Sequence, residues 1–403
     1  MVYTKKEVIQ YINEEDVKFI RLAFCDSFGN QKNISIMPSE LERAFENGIG
    51  IDASAVTGFG GEIYSDLFLF PDPSTLVVLP WRPDHGRVVR MFCNIAYPSG
   101  KAFEADGRLI LKNAIKHAMS EGYIFSFGSE LEFYLFNTDE EGNPTNVPYD
   151  TARYMDIAPM DKGENVRREI CLTLERMGIK PESSHHEEGP GQNEIDFKFS
   201  DPLTAADDAI TFLSVVRTIA ARNGLYADFS AKPIRTQPGN GFHINVSVQS
   251  IKEKKDLLPC AVAGLINRIS DITVFLNPTE NSYERLGKQK SPKFITWSPE
   301  NRSQLIRIPA ARGEYKRLEL RSPDPSANPY LAFAIIIYAV LDGLRNEEIP
   351  PAASNINLFS ASPSQQEKYS RLPESLAEAK MTALNSEFVK QTLPQTLINT
   401  YCR

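Results

Sequence analysis

HHEEGPGQNEIDFKF, residues 185–199, places two histidines, four acidic residues and a Gly-Pro-Gly turn in one short stretch. Gly189, Pro190 and Gly191 forbid a helix there and demand a tight turn. Beyond the turn, polar and apolar residues alternate. Glu194, Asp196 and Lys198 share one face and Ile195, Phe197 and Phe199 the other, which is strand periodicity. Glu187 precedes the turn and Glu194 opens the strand after it, so a sharp reversal can bring the two carboxylates to one point. Converging hard oxygen ligands suit Mg²⁺ or Mn²⁺. A solvated acidic hairpin is the plain alternative, and this stretch alone leaves both open.

The surrounding chain bounds the choice. Its 403 residues are too many for one small core, so at least two domains are expected. With 42% hydrophobic and 24% charged residues, it reads as an ordinary globular protein. A net charge of −8, with no basic run reaching five residues, excludes a general nucleic-acid partner. The five cysteines are scattered and form no CxxC pair, which argues against a zinc site or disulfide framework and fits a reducing cytoplasm. The opening MVYTKKEVIQ lacks the apolar core of a signal peptide. The most apolar run, YLAFAIIIYAVL at 330–341, is too short to span a bilayer, so no membrane partner is expected.

Residues 1–102 read as a small α+β domain. Thr4 and Glu7 form a capping-box pattern for a first helix, and Ser39 and Glu42 repeat it for a second that stops at Gly48. Between them, 17–24 and 33–37 read as strands joined by the turn DSFGN. The small-residue stretch Gly50–Phe59 reads as a loop carrying Asp52, with Asp66 soon after. It is either a surface connection or a segment reaching into a site, on another subunit for example. Phe70–Pro83, with its prolines around a short apolar core, reads as an edge strand between loops.

Residues 103–403 hold the larger domain. A helix over 106–120 leads to a strand over 123–136, in which Glu130, Glu132 and Tyr134 point one way. Residues two apart on a strand lie roughly 6.5–7 Å apart, so these glutamates suit two different metal ions better than chelation of one. A solvent-facing pair is the alternative. Helices are expected over 164–176 and 205–223. A further turn feeds a strand on which His243, Asn245 and Ser247 share a face; a lone strand histidine is often structural, but three of the five histidines fall in such turn-strand segments. Then come Arg285, Arg302, Arg307, Arg317 and Arg321, with Glu319 between the last two on one face of a strand. An ordered series of guanidinium groups near carboxylates forms a polyanion clamp, since each binds phosphate or carboxylate oxygens bidentately. The sequence lacks GxxxxGK[ST] and GxGxxG, so any nucleotide is held by other means. Two metals and arginines together describe phosphoryl transfer.

With these residues in view, the chain resembles the glutamine synthetase family, of the bacterial and archaeal class I kind. The resemblance rests on SELEFYLF, HHEEGPGQNEIDF, GNGFHINVSV, NSYERL, NRSQLIRIP and RLELRSPDPSANPYLA, and near the N-terminus on GIDASAV and SDLFLFPDPSTLVVLPWRP. It implies an α+β fold: an N-terminal β-grasp domain over 1–102 and, over 103–403, a catalytic domain built on an antiparallel sheet with flanking helices. It also implies homo-oligomeric, hexameric rings, one alone or two stacked, with sites between neighbouring subunits and two Mg²⁺ or Mn²⁺ ions per site. Glu132, Glu187 and Glu194 would hold one metal; Glu130, His243 and Glu319 would hold the other, on the ATP phosphates. Arg302, Arg307 and Arg317 would contact phosphates, with Arg302 and Arg321 counted as catalytic. Arg285, Arg321 and Gly239 would hold glutamate. Phe199, Asn245 and Ser247 would line the nucleotide pocket. Asp52 from the adjacent subunit, with Asp66 nearby, would bind and deprotonate ammonium. The implied reaction phosphorylates the glutamate γ-carboxylate from ATP, and ammonia then displaces phosphate.

Three departures bear on the acceptor and the assembly. Lys290 falls where the family's flap carries a glutamate, in a segment one residue shorter. Pro238 replaces an asparagine that helps bind glutamate. The chain ends at Arg403, short of the usual helical tail, which bears on ring stacking and on adenylylation. The leading expectation is therefore glutamine formation from glutamate and ammonia. The alternatives are a γ-glutamyl ligase that uses an organic amine, and a non-catalytic paralogue.

Overall fold

The computed structural model describes residues 3–60, 65–82, 85–311 and 313–403. Two sheets organise it. The N-terminal sheet contains β1 (Val17–Cys25), β2 (Gln31–Ile36), β3 (Ile49–Asp52), β4 (Asp66–Pro71), the two-residue β5 (Val77–Val78) and β6 (Arg87–Ala96). Its order is β2-β1-β6-β4-β3, with β1 and β6 parallel and β5 on β6. Helix Lys5–Glu14 covers it, started by the expected Thr4–Glu7 capping box. Val8, Ile12, Leu22, Leu41 and Leu69 share one buried cluster there.

The second sheet has nine strands. They are β7 (Tyr123–Thr138), β8 (Pro144–Pro148), β9 (Pro181–His186), β10 (Gln192–Ser200), β11 (Leu225–Asp228), β12 (Phe242–Ser250), β13 (Trp297–Pro299), β14 (Ile306–Ile308) and β15 (Leu318–Leu320). The order is β13-β14-β15-β12-β7-β10-β9, antiparallel except for β13–β14. Helices Gly107–Ser120, Pro202–Arg222, Leu258–Leu276 and Pro329–Arg345 cover the apolar face, to which Leu131, Phe133 and Ile195 contribute. Helix Leu258–Leu276 is long and apolar enough to cross a membrane. Its place is nonetheless in the core, against Pro329–Arg345. A Cβ on Gly264 would lie 2.3 Å from the Ala339 carbonyl, so only glycine permits so close a crossing.

The two parts meet through a buried polar joint. Arg108 donates to Asp207 at 3.1 and 2.9 Å and also reaches Asp72, just after β4, and Asn94 of β6. Tyr330 donates to the same Asp207 at 2.6 Å.

Several local expectations need correction. Ser39 does not cap the second helix. A 3-10 turn over Pro38–Glu40 runs directly into Leu41–Glu46, because Pro38 already sets the first helical φ. Gly50–Phe59 is not all loop: Ile49–Asp52 pairs with β4. Phe70–Pro83 is mostly irregular, with Phe70 and Pro71 ending β4 and Val77–Val78 forming β5, as its prolines withhold ladder hydrogens; Pro83 lies outside the described residues. His185 and His186 end a strand, whereas only the strand after the turn was legible.

Candidate active site

Register builds the site. Because side chains alternate along each strand, aligned strands set their outward residues in rows across one face. One row runs Glu132, Glu194, His185 over β7, β10 and β9. The next runs His243, Glu130, Asp196, Ser183 over β12, β7, β10 and β9. The third runs Arg307, Glu319, Asn245 over β14, β15 and β12. The opposite face of the same strands is the core, so the sequence alternation that packs the domain also arms the site.

These rows floor a cleft of about 570 Å³. Glu130, Glu132, Glu187, Glu194 and His243 line it, as do Gly239, Arg285, Arg302, Arg307, Arg317 and Arg321. A second hollow of about 270 Å³ adjoins it, sharing Glu130, Asp196 and Arg317, and holds Phe199, Asn245 and Ser247. Tyr315, absent from the sequence reading, stands there edge-on to Phe199 at 6.1 Å. Its signal was weak: an exposed tyrosine one turn before a charged strand.

Among the described residues, three carboxylate groupings emerge on this face, the third, Glu130, Glu194 and Asp196, bridging the other two. Glu130, His243 and Glu319 each offer an atom within 4.8 Å of the others. His243 Nδ1 is 3.3 Å from Glu130 and 3.8 Å from Glu319. Glu319 is also met by Arg307, and by Arg321 at 3.4 Å. The second grouping is Glu187, Glu194 and His185, not Glu132. Glu132 instead accepts from the Gly241 amide at 2.9 Å and from Gln192 Nε2 at 3.0 Å. His185 Nε2 lies 3.0 Å from Glu187. The structure thus brings Glu187 and Glu194 together as expected and holds Glu132 beside them, with both of these bonds on its Oε2.

The electrostatics fit a cation. Burial, then the nearby charges of Glu132, Asp196 and Glu130, push Glu194 well above the ordinary carboxylate range. Burial and Glu130 raise Asp196 to about 6. At Glu130 burial opposes ionisation, yet the hydrogen bond and charge of His243 and the Asn245 amide outweigh it and hold the carboxyl down at about 2. A divalent cation among oxygen and imidazole donors offsets this repulsion, and the donor set is of the hard type such ions take.

A pH-dependent metal effect follows. A carboxyl raised in the folded state binds more protons there than when unfolded, so its contribution to stability falls as pH rises through the raised pKa. For Asp196 that window runs from the usual carboxylate range to about 6. A cation competes with those protons. The increase in melting temperature on adding Mn²⁺ should therefore be larger at pH 7 than at pH 5. Equal increments at both pH values would contradict this electrostatic account.

The arginines close the far side. Arg285 and Arg321 are buried, and Arg285 donates to the Ser322 and Arg321 carbonyls at 2.7 and 3.3 Å. Among the described residues, the Nε atoms of Arg285, Arg307 and Arg321 are buried without a partner. Arg317 Nε donates to Asn245 at 2.8 Å, linking the two hollows. Gly241 also escaped the sequence reading. A Cβ there would lie 2.7 Å from His243 Nε2 and 3.1 Å from both Arg285 and Glu132. Gly241→Ala should thus displace three site groups at once and cut turnover by about 10²-fold, as misplacement by an ångström does. Steady-state kinetics beside an unchanged far-UV spectrum would check it.

At the mouth, Lys290 pairs with Glu188, and its ammonium stands 5.8 Å from the centre of the Tyr154 ring. Pro238 lines the cleft, and its carbonyl accepts from Tyr134 at 2.7 Å. Asp52 and Asp66 sit opposite each other on β3 and β4, both exposed, and neither lines the cleft of this chain.

Residues 104–403 match the family described as glutamine synthetase, catalytic domain, and residues 16–98 that described as glutamine synthetase, beta-Grasp domain. Over 413 residues the chain is 42% identical to a glutamine synthetase of Clostridium saccharobutylicum, covering 99% of this chain and 93% of the relative. It is 42% identical to one from Methanosarcina mazei over 414 residues, covering 99% and 92%. Among solved structures, a GmaS/ADP complex matches with a TM-score of 0.88 at 28% identity, covering 98% of this chain and 93% of that one. A cryo-EM structure of Plasmodium falciparum glutamine synthetase matches with a TM-score of 0.87 at 22% identity, covering 99% and 94%. At that identity the likeness speaks for the fold alone.

Proposed function

Because this chain belongs to the glutamine synthetase family and is an ATP-dependent ligase of that type, we propose that it joins glutamate to ammonia through γ-glutamyl phosphate. The observation that carries the proposal is the set of carboxylate rows on one sheet face, enclosed by Arg285, Arg302, Arg307, Arg317 and Arg321 in one cleft. In this reading the glutamate γ-carboxylate attacks the terminal phosphorus of ATP. The bond from that phosphorus to its bridging oxygen breaks, and ADP leaves. Ammonium gives up a proton and the resulting ammonia attacks the acyl carbon; the acyl–oxygen bond breaks, phosphate leaves with that oxygen, and the surplus proton on nitrogen passes to phosphate or water.

Each side chain takes a part. Glu130, His243 and Glu319 would hold one divalent ion; Glu132, Glu187 and Glu194 would hold another, Mg²⁺ or Mn²⁺ in each case. Bound ions would neutralise the charge that builds on the transferred phosphoryl group. Arg302, Arg307 and Arg317 would bind phosphate oxygens; Arg285, Arg321 and the Gly239 backbone would fix glutamate. Phe199, Asn245 and Ser247 would hold the nucleoside, with Tyr315 added on the strength of its place in the same hollow. Asp52 and Asp66 would serve the ammonium site of a neighbouring subunit, in a hexameric ring. Their exposure on the N-terminal sheet supports this assignment. We place the enzyme in the cytoplasm and divide it near residue 102. Five free cysteines support the first reading and two separate hydrophobic clusters the second.

One observation favours a second acceptor class. Lys290, paired with Glu188, stands at the mouth of the cleft where the resemblance places a glutamate that takes the proton from ammonium, so the acceptor end differs from one built for ammonium. The test is phosphate release from Mg-ATP and glutamate, first with ammonium and then with a panel of primary amines. Ordinary turnover with ammonium is the expected result. Turnover with amines alone would replace ammonia by an amine, and no turnover with any acceptor would overturn both readings.

A further inference from the structure

Beneath the turn that carries Glu187 lies a second cluster, outside the cleft floor. His186 is fully buried, with Nδ1 2.6 Å from the Glu187 carbonyl and Nε2 2.9 Å from Asp150. A carbonyl and a carboxylate can only accept, so the ring donates from both nitrogens. Asp150 also accepts from the Gly191 amide at 2.9 Å and the Lys162 amide at 3.1 Å. It therefore grips the hairpin turn at both ends, through His186 before Glu187 and directly at Gly191. Beside it, Arg167 pairs with Asp161 and donates to Asn193 at 2.6 Å. Asn193 immediately precedes Glu194, and its own amide donates to the Gly191 carbonyl at 2.8 Å.

Asp150, Asp161 and His186 lie close enough to suggest a metal site. The charges argue otherwise. Two carboxylates meet an arginine and a doubly donating histidine, so the cluster is balanced and every ligand atom is engaged. With those atoms already bonded to one another and to backbone groups, its role is mechanical.

We propose that His186 and Asp150 are positioning residues for one metal site only. Together with Arg167 and Asn193, they fix the backbone on either side of the turn, and so set the separation of Glu187 and Glu194. Glu130, His243 and Glu319 lie on other strands, and none of the hydrogen bonds just described reaches them. The inference rests on the metal-binding reading above.

The test is Mn²⁺ titration of the intact enzyme, followed by electron paramagnetic resonance without nucleotide, for wild type and His186→Gln. Glutamine can donate from one atom at most, so one of the two grips is lost. In wild type two bound ions are expected. In the variant one affinity should fall about 10–100-fold, the usual effect of losing a ligand's hydrogen-bonded support. The other should stay within about twofold, and turnover at saturating Mn²⁺ should largely recover, giving a metal KM effect rather than a kcat effect. If His186→Gln fails to fold, Asp150→Asn keeps the side-chain shape and carries the same expectation. Two sites weakened alike, or both unchanged, would overturn the positioning role while leaving the metal sites standing. A wild type that binds no Mn²⁺ would instead overturn the metal reading itself.

Discussion

Glu319→Gln should lower kcat by about 10²–10³-fold, the loss expected when one preorganised charge is removed from a phosphoryl-transfer site. Glu319 is 1% exposed and lies among His243, Arg307 and Arg321. It belongs to a proposed metal grouping and is also the counter-ion of two guanidinium groups. Replacing it with a neutral isostere removes a ligand and leaves both cations facing each other in a buried setting. Uncompensated buried charges typically cost about 3–5 kcal/mol. The glutamine amide can still accept one hydrogen bond, so the stability loss should fall short of that figure. Phosphate-release kinetics and thermal unfolding measure the two effects separately. Activity within twofold of wild type would sink the role of this row.

Lys290→Glu carries the second large effect, in the opposite direction. Lys290 lines the cleft, with its ammonium on Glu188. A carboxylate at this position would attract a cationic acceptor and could take its proton. General bases contribute about 10²–10⁴-fold, and part of that range should appear as a rise in kcat/KM for ammonium. Glutamate and ATP parameters should move much less, because Arg285 and Arg321 sit deeper in the cleft. Unchanged or reduced ammonium use would mean that position 290 does not face the acceptor. A rise for ammonium at the expense of amines would assign acceptor choice to this one residue.

Much of the site was legible because it is written in strand alternation. Glu130 with Glu132, His243 with Asn245, and Glu194 with Asp196 each declare a face by spacing alone, and their neighbours Leu131, Ile244 and Ile195 declare the core. Pairing of distant strands cannot be read that way. Nothing local says that Glu132 would be taken up by Gln192 and the Gly241 amide while His185 moved beside Glu187. Gly241 and Tyr315 were missed for a related reason: one acts through the space it leaves, the other through a loop that packs onto Phe199. Ser39 misled because its capping pattern was real, but Pro38 had already begun the turn.

The rows of the sheet also define where the gene can change length. His243 faces Glu130, Asp196 faces Glu130 and Glu319 faces Asn245, and the β10–β7 register shifts only beyond Phe197. Deleting one residue within β7 or β12 would turn the carboxylates to the core and the phenylalanines to the cleft, erasing fold and chemistry in one event. The turn between β7 and β8, where Gly142 has open space around it, has no such constraint. Insertions should accumulate there and never inside the rows, and a deep insertion-deletion scan should outline the three rows without reference to any substrate.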